Sequence, residues 1–288
     1  MIFCHKTGKL SSATRGNTVT LDFDSGLLLI GMAQGAFLSA SLLLRKQGPK
    51  LANRVLGTLM LALTMGLVTH FMTVTQSWSQ WPRLYIVLST SIMLFGPLLF
   101  AYIKLLTRRQ QKLLYKDALH LLPWAALLAL FTPLLLMPQA QLLENLSTSA
   151  RQAGPNFGLP FIKLLHLTLY TLASAIVLYQ HQARVNQEYS YHDKVSLSWL
   201  RLLVAGFLLM EASSLVLVVM EPYFQLLDKL DSWLSLVLIV LIFLTGYQGL
   251  NQPQVFLGLD KPPTPLPVRK TLHFPSHSRL NSRSDWRR

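Results

Sequence analysis

The chain has 288 residues, of which 51% are hydrophobic and only 13% charged, with a mean hydropathy of +0.39. Soluble domains are roughly one-quarter charged, so this composition excludes an ordinary soluble domain and implies an integral membrane protein. A formal net charge of +14 would suggest nucleic acid in a soluble protein, but here the basic residues fall between apolar stretches and read as topogenic charge.

Residues 1–24 form a mixed polar segment with Lys6, Lys9 and Arg15 ahead of an apolar run that starts at Leu27. The lone cysteine, Cys4, excludes an intramolecular disulfide and any multi-cysteine metal site. Basic-then-apolar order imitates a signal peptide. The run to Leu44 nevertheless passes into Arg45 and Lys46 without a small-residue cleavage site, which predicts a retained first span. Within it Gly31, Gly35 and Ser39 recur at four-residue steps, a stripe on which another helix can approach closely.

Arg45, Lys46, Lys50 and Arg54 make a short basic loop before a second span, Val55 to Val74, with Trp78 and Trp81 suited to the far interface. The third span, Leu84 to Leu106, carries a Gly-Pro break at Gly96 and Pro97. Lys104, Arg108, Arg109, Lys112 and Lys116 close it, a basic run that stays in the cytoplasm while the apolar part enters lipid. The fourth span, Leu119 to Met137, holds Pro123 and Pro133, tolerated in lipid where neighbours satisfy the freed carbonyls.

Residues 138–159 read as the longest loop, polar and bracketed by Pro138 and Pro160. The fifth span covers Phe161 to Tyr179, the sixth Trp199 to Met220 and the seventh Trp233 to Leu250, the last two joined by an acidic connection from Glu221 to Asp231. Residues 251–288 are rich in Pro, Arg and Ser without a periodic apolar face, the composition of a basic disordered tail. With the amino terminus outside, 19 of the 26 Lys and Arg residues lie on the inner side. The predicted fold is therefore all-α: seven transmembrane helices over residues 25–250, amino terminus outside and carboxyl terminus in the cytoplasm.

Ionisable side chains within lipid are costly and are functional candidates. Glu211 lies near the middle of the sixth span, His166 in the fifth, His70 near the outer end of the second, and Gln34 in the first, all in the outer half. Tyr170 follows His166 by one turn on the same face. Glu211, His166, Tyr170 and Gln34 are the predicted lining of a ligand pocket opening outward. An interhelical hydrogen-bond pair is the structural alternative for Glu211, and an interfacial role suits His70. Gly31, Gly35, Ser39, Gly96 and Pro97 are the predicted packing or hinge positions. Neither HExxH nor CxxC occurs, so no metal and no cofactor is expected. Without a P-loop, GxGxxG or GxSxG motif, no enzyme activity is expected either.

Five strings in order, GMAQGAFLSASLLLRK, LANRVLGTLMLAL, LFGPLLFAYIKLLT, HLLPW and GYQGLNQPQVF, resemble the seven-helix membrane region of bacterial AraC-type membrane-bound transcriptional regulators. The resemblance covers residues 20–257. It implies a sensor in the bacterial cytoplasmic membrane, joined in that family to a cytoplasmic helix-turn-helix domain of about a hundred residues. Here 32 residues follow Phe256, too few for two helix-turn-helix units, so a truncated sensor half without direct DNA binding is expected. Its expected partners are the bilayer, a small molecule on the outer side and a second copy in a homodimer. A small-solute or proton-coupled transporter using Glu211 is the alternative function.

Overall fold

A computed structural model of the chain describes residues 23–46, 48–107, 115–152, 158–188, 198–220 and 227–251. The polar amino-terminal segment up to residue 22, the tail beyond residue 251 and the basic residues Arg108, Arg109 and Lys112 lie outside the described residues. Those described are all-α, without a strand among them: α1 (Phe23–Leu44), α2 (Lys50–Val74), α3 (Pro82–Ser89), α4 (Ile92–Thr107), α5 (Leu122–Leu136), α6 (Gln139–Gln152), α7 (Gly158–Glu188), α8 (Ser198–Met220) and α9 (Leu227–Asn251). Short 3-10 turns at Ser77–Ser79 and Tyr115–Leu121 precede α3 and α5.

Six stretches are long and apolar enough to cross a bilayer: Asp24–Leu44, Lys50–Val74, Pro82–Thr107, Tyr115–Leu136, Gly158–Arg184 and Trp199–Val219. A seventh apolar helix, Trp233–Gly249, is shorter. The protein is embedded in a membrane and crosses it several times, because helices this apolar bury their backbone polar groups internally and leave side chains to lipid.

Small residues set how closely these helices approach. On α1, a Cβ added to Gly31 would stand 2.6 Å from Ile239 of α9, and one on Gly35 would stand 2.2 Å from Thr64 of α2. Ser39 completes the stripe by donating its hydroxyl to the Gly57 carbonyl of α2 at 2.9 Å. The stripe thus seats α1 between α2 and α9. Just past the end of α1, Arg45 Nη1 donates to the Gly249 carbonyl at 2.9 Å. That carbonyl belongs to the last turn of α9, where carbonyls lack helical partners and favour a cation.

The third span is broken, but at Thr90–Ser91, six residues ahead of Pro97. Ser89 and Thr90 turn their hydroxyls onto the Ile86 and Val87 carbonyls, both at 2.7 Å, which competes with helix continuation and ends α3. Gly96 and Pro97 sit inside α4 without interrupting it, near its start, where a missing N–H frees only the Met93 carbonyl.

The stretch expected to be a polar loop after Met137 contains a helix, α6. Pro138 opens it, its carbonyl accepting from the Leu142 N–H at 3.0 Å, and Leu142 is fully buried. One apolar face on a polar segment suffices for a helix lying against the bundle. Outermost is α5, with Leu127 its one fully enclosed side chain among the described residues. Trp124 Nε1 donates to Thr90 Oγ1 at 3.1 Å, and Arg83 donates to the Leu135 and Met137 carbonyls at 3.1 and 3.0 Å, so both ends of α5 are tied to α3 and the turn after it.

At Gly96, α4 packs closely on α7: an added Cβ would meet Tyr170 Cβ at 2.7 Å, an atom too near the backbone to yield. Gly96→Ala is expected to destabilise the protein by about 1–3 kcal/mol. Gly26→Ala, where nothing lies within 4 Å, is expected to be neutral or mildly stabilising. Thermal unfolding of both variants in one detergent checks the contrast.

Candidate functional site

Glu211 lies thirteen residues into α8, about 20 Å along its axis. It is only 5% exposed. Its carboxylate faces α7, where Thr171 Oγ1 donates to Oε1. Thr168 stands one turn earlier on α7 and adds its hydroxyl to the surroundings of the carboxylate. Ser174, at the next three-residue step, is fully buried with no partner for its Oγ among the described residues. Thr168, Thr171 and Ser174 therefore make a hydroxyl stripe on the side of α7 that meets α8.

The Thr171 hydroxyl has two acceptors, Glu211 Oε1 and the Leu167 carbonyl of its own helix at 3.1 Å. A threonine hydroxyl carries one proton. With the carboxylate ionised, that proton goes to Glu211. With a proton on Glu211, the carboxyl can donate to Thr171 and Thr171 to Leu167, so the pair has two complete hydrogen-bond arrangements that differ in the direction of the bonds.

One residue back, α7 turns a different side to its neighbours, since successive helical residues are about 100° apart. Tyr170 points toward α4 and the turn before α5, with its hydroxyl 2.9 Å from His120 Nδ1. The Phe100 ring stands edge-on to both, at 5.5 Å from His120 and 6.1 Å from Tyr170. His166 packs its ring 4.9 Å from that of Tyr170. Both of its ring nitrogens are buried and have no hydrogen-bond partner among the described residues. Beside this cluster Lys104 lies 5.5 Å from the Phe100 ring centre and pairs with Asp117.

Of the four sequence-predicted lining residues, His166 and Tyr170 are brought together, and Glu211 stands on the other side of the same helix. Gln34 is half-buried on α1, whose packing partners are α2 and α9, and has no place in either group. His70 is half-buried near the end of α2. Gly31, Gly35 and Ser39 pack α1, and Gly96 packs α4 on α7, as described above. Thr171, Ser174 and His120 were not singled out in the sequence. The hydroxyls at 168, 171 and 174 carried a readable signal, a three-residue polar period in an apolar span; His120 carried none, because its partner is fifty residues away. Among the described residues no three His, Cys, Asp or Glu side chains converge as a metal site.

Comparison with known proteins adds no relative: no protein-family model, curated protein or solved structure matches this chain.

A double-substitution cycle tests the Glu211–Thr171 pair. Thr171→Val removes the first hydroxyl partner of the buried carboxyl and leaves only Thr168 beside it, and a loss of roughly 1–3 kcal/mol is expected. Glu211→Gln keeps the shape and a hydrogen-bonding group, so a smaller loss is expected. Coupling between the two positions is expected at about 0.5–1.7 kcal/mol, the range of interhelical hydrogen bonds in lipid. Unfolding in mixed micelles reads all three, and zero coupling would mean that the two groups stand side by side without interacting.

Proposed function

We propose that the protein is a seven-span sensory module of a bacterial cytoplasmic membrane, with its amino terminus outside and its carboxyl terminus in the cytoplasm. The observation that carries the proposal is the buried Glu211–Thr171 pair, which joins α7 to α8 near mid-bilayer and has two hydrogen-bond arrangements. A sensor needs such an element: a ligand changes the state of a protein only through different affinity for two arrangements already accessible to it. On the same helix as Thr171, the buried Ser174 hydroxyl offers a group with which a small polar ligand, or a proton, can bias one arrangement.

The seventh span is supported by length. Its apolar core of 17 residues is at the short end of the roughly 17–25 that cross a bilayer, and α9 as a whole has 25. The orientation is supported by the excess of Lys and Arg, 19 of 26, on one side. The sensory role is supported by the sequence resemblance to AraC-type membrane-bound regulators over residues 20–257. In this reading the output passes from the basic inner surface to a partner.

Transcript profiles of cells expressing the wild-type chain and Glu211→Gln test the reading. A gene set that responds to the wild type and loses that response in Glu211→Gln is expected, with membrane levels of the two proteins equal. Identical profiles, together with solute uptake into vesicles that needs a pH gradient and is lost in Glu211→Gln, would replace sensing by transport.

A further inference from the structure

Glu211 is a buried acid without a basic partner. Among the described residues no lysine, arginine or histidine pairs with it, and the groups that reach its carboxyl are the hydroxyls of Thr171 and Thr168 on α7. A charge at that depth needs a counter-charge. The carboxyl therefore either keeps its proton or holds a cation that these side chains do not supply.

The hydroxyls distinguish the two cases. Thr168 and Thr171, three residues apart on one face of α7, each have a carbonyl of their own helix within reach, Leu164 at 3.0 Å and Leu167 at 3.1 Å. A hydroxyl has one proton and two lone pairs. When it donates that proton four residues back along its helix, it turns only lone pairs to its neighbour. Two such hydroxyls and the two carboxylate oxygens of Glu211 then make a set of four oxygens without a donor among them. One proton on the carboxyl bridges a single pair of these oxygens and leaves a hydroxyl oxygen bare, whereas a metal ion can contact all four. Oxygens without nitrogen or sulfur select hard cations. One carboxylate balances one positive charge, and a divalent ion would leave a net charge in lipid. Thr171 and Glu211 are buried, at 0% and 5% exposure, while Thr168 is half-buried, so exchange with the outside runs past Thr168.

We infer that Glu211, Thr171 and Thr168 bind a sodium ion between α7 and α8 in place of the carboxyl proton. One Na⁺ enters as one H⁺ leaves the carboxyl, and Thr171 gives its own proton to the Leu167 carbonyl, so the site is neutral in both states. The inference rests on the sensory reading and names the ligand for it. Its test reads binding alone and no transcripts, so either can fail without the other.

The full-length protein, purified in detergent with choline chloride as the only salt, is unfolded by heat while NaCl replaces choline at constant ionic strength. The midpoint is expected to rise with the logarithm of sodium concentration, as for any ligand of the folded state. The rise is expected to be larger at about pH 8 than at about pH 6, because protons compete for the carboxylate. Glu211→Gln is expected to abolish it. Should that variant fail to fold, Thr171→Ser keeps the oxygen and is expected to retain the rise, while Thr171→Val is expected to need roughly tenfold more sodium, as about 1.4 kcal/mol of lost ligation would. A midpoint that follows pH but not sodium would mean that the carboxyl takes only a proton. An equal rise in Glu211→Gln, or equal responses in Thr171→Ser and Thr171→Val, would place the ion elsewhere. Each of these results overturns the proposal.

Discussion

A carboxyl group in the middle of a lipid-spanning helix must be enclosed and hydrogen-bonded, and this requirement organises the α7–α8 half of the protein. Water is absent at that depth, so the partners of Glu211 have to come from a neighbouring helix. Thr171 supplies one, which fixes the rotation of α7 about its axis. Once Thr171 faces α8, Tyr170 is turned by about 100° toward α4 and α5, where it meets His120 and Phe100. The two polar groups are thus linked by one backbone step, and a rotation of α7 that alters one necessarily alters the other.

The α1–α2–α9 half is held differently. Lipid tails are as apolar as leucine, so helices there associate through close packing more than through the hydrophobic effect. Glycines supply that closeness. Gly31 and Gly35 on α1, Gly57 on α2 and Gly246 and Gly249 on α9 each leave room that a neighbouring side chain fills to within 3 Å of where a Cβ would be. Thr64 keeps its own hydroxyl satisfied by donating to the Met60 carbonyl at 2.8 Å, so its contact with Gly35 is steric and not polar. The result is a closely packed group, whereas α5 is the least enclosed of the membrane-length helices described.

How far the sequence discloses this depends on whether a feature is local. The apolar spans, the small-residue stripe on α1 and the in-span carboxylate are local patterns, and six of the spans recur as helices long and apolar enough to cross a membrane. The hydroxyl ridge of Thr168, Thr171 and Ser174 was equally open to reading from its spacing opposite Glu211. The break at Thr90–Ser91 was masked by the stronger signal of Gly96–Pro97: a proline near the start of a helix frees little backbone, while three consecutive hydroxyl residues at 89–91 can end one. α6 was hidden by its polarity, since only Leu142 betrays its buried face. The pairing of His120 with Tyr170 depends on which helices are neighbours, and no period within a single span contains that information.

The position of α8 joins these parts. Glu211 looks toward α7, and Gly206, five residues earlier and so about 140° around the helix, looks toward α9. One helix therefore carries the buried carboxyl on one flank and its close contact with α9 on the other. A packed helix responds to a push as a unit, because its backbone bonds are stiffer than its contacts with neighbours. With no Cβ between Gly206 and Leu241, α8 lies in close contact with α9 on the flank away from the Glu211–Thr171 pair, so both flanks of this helix are fixed by a single close contact with a neighbour.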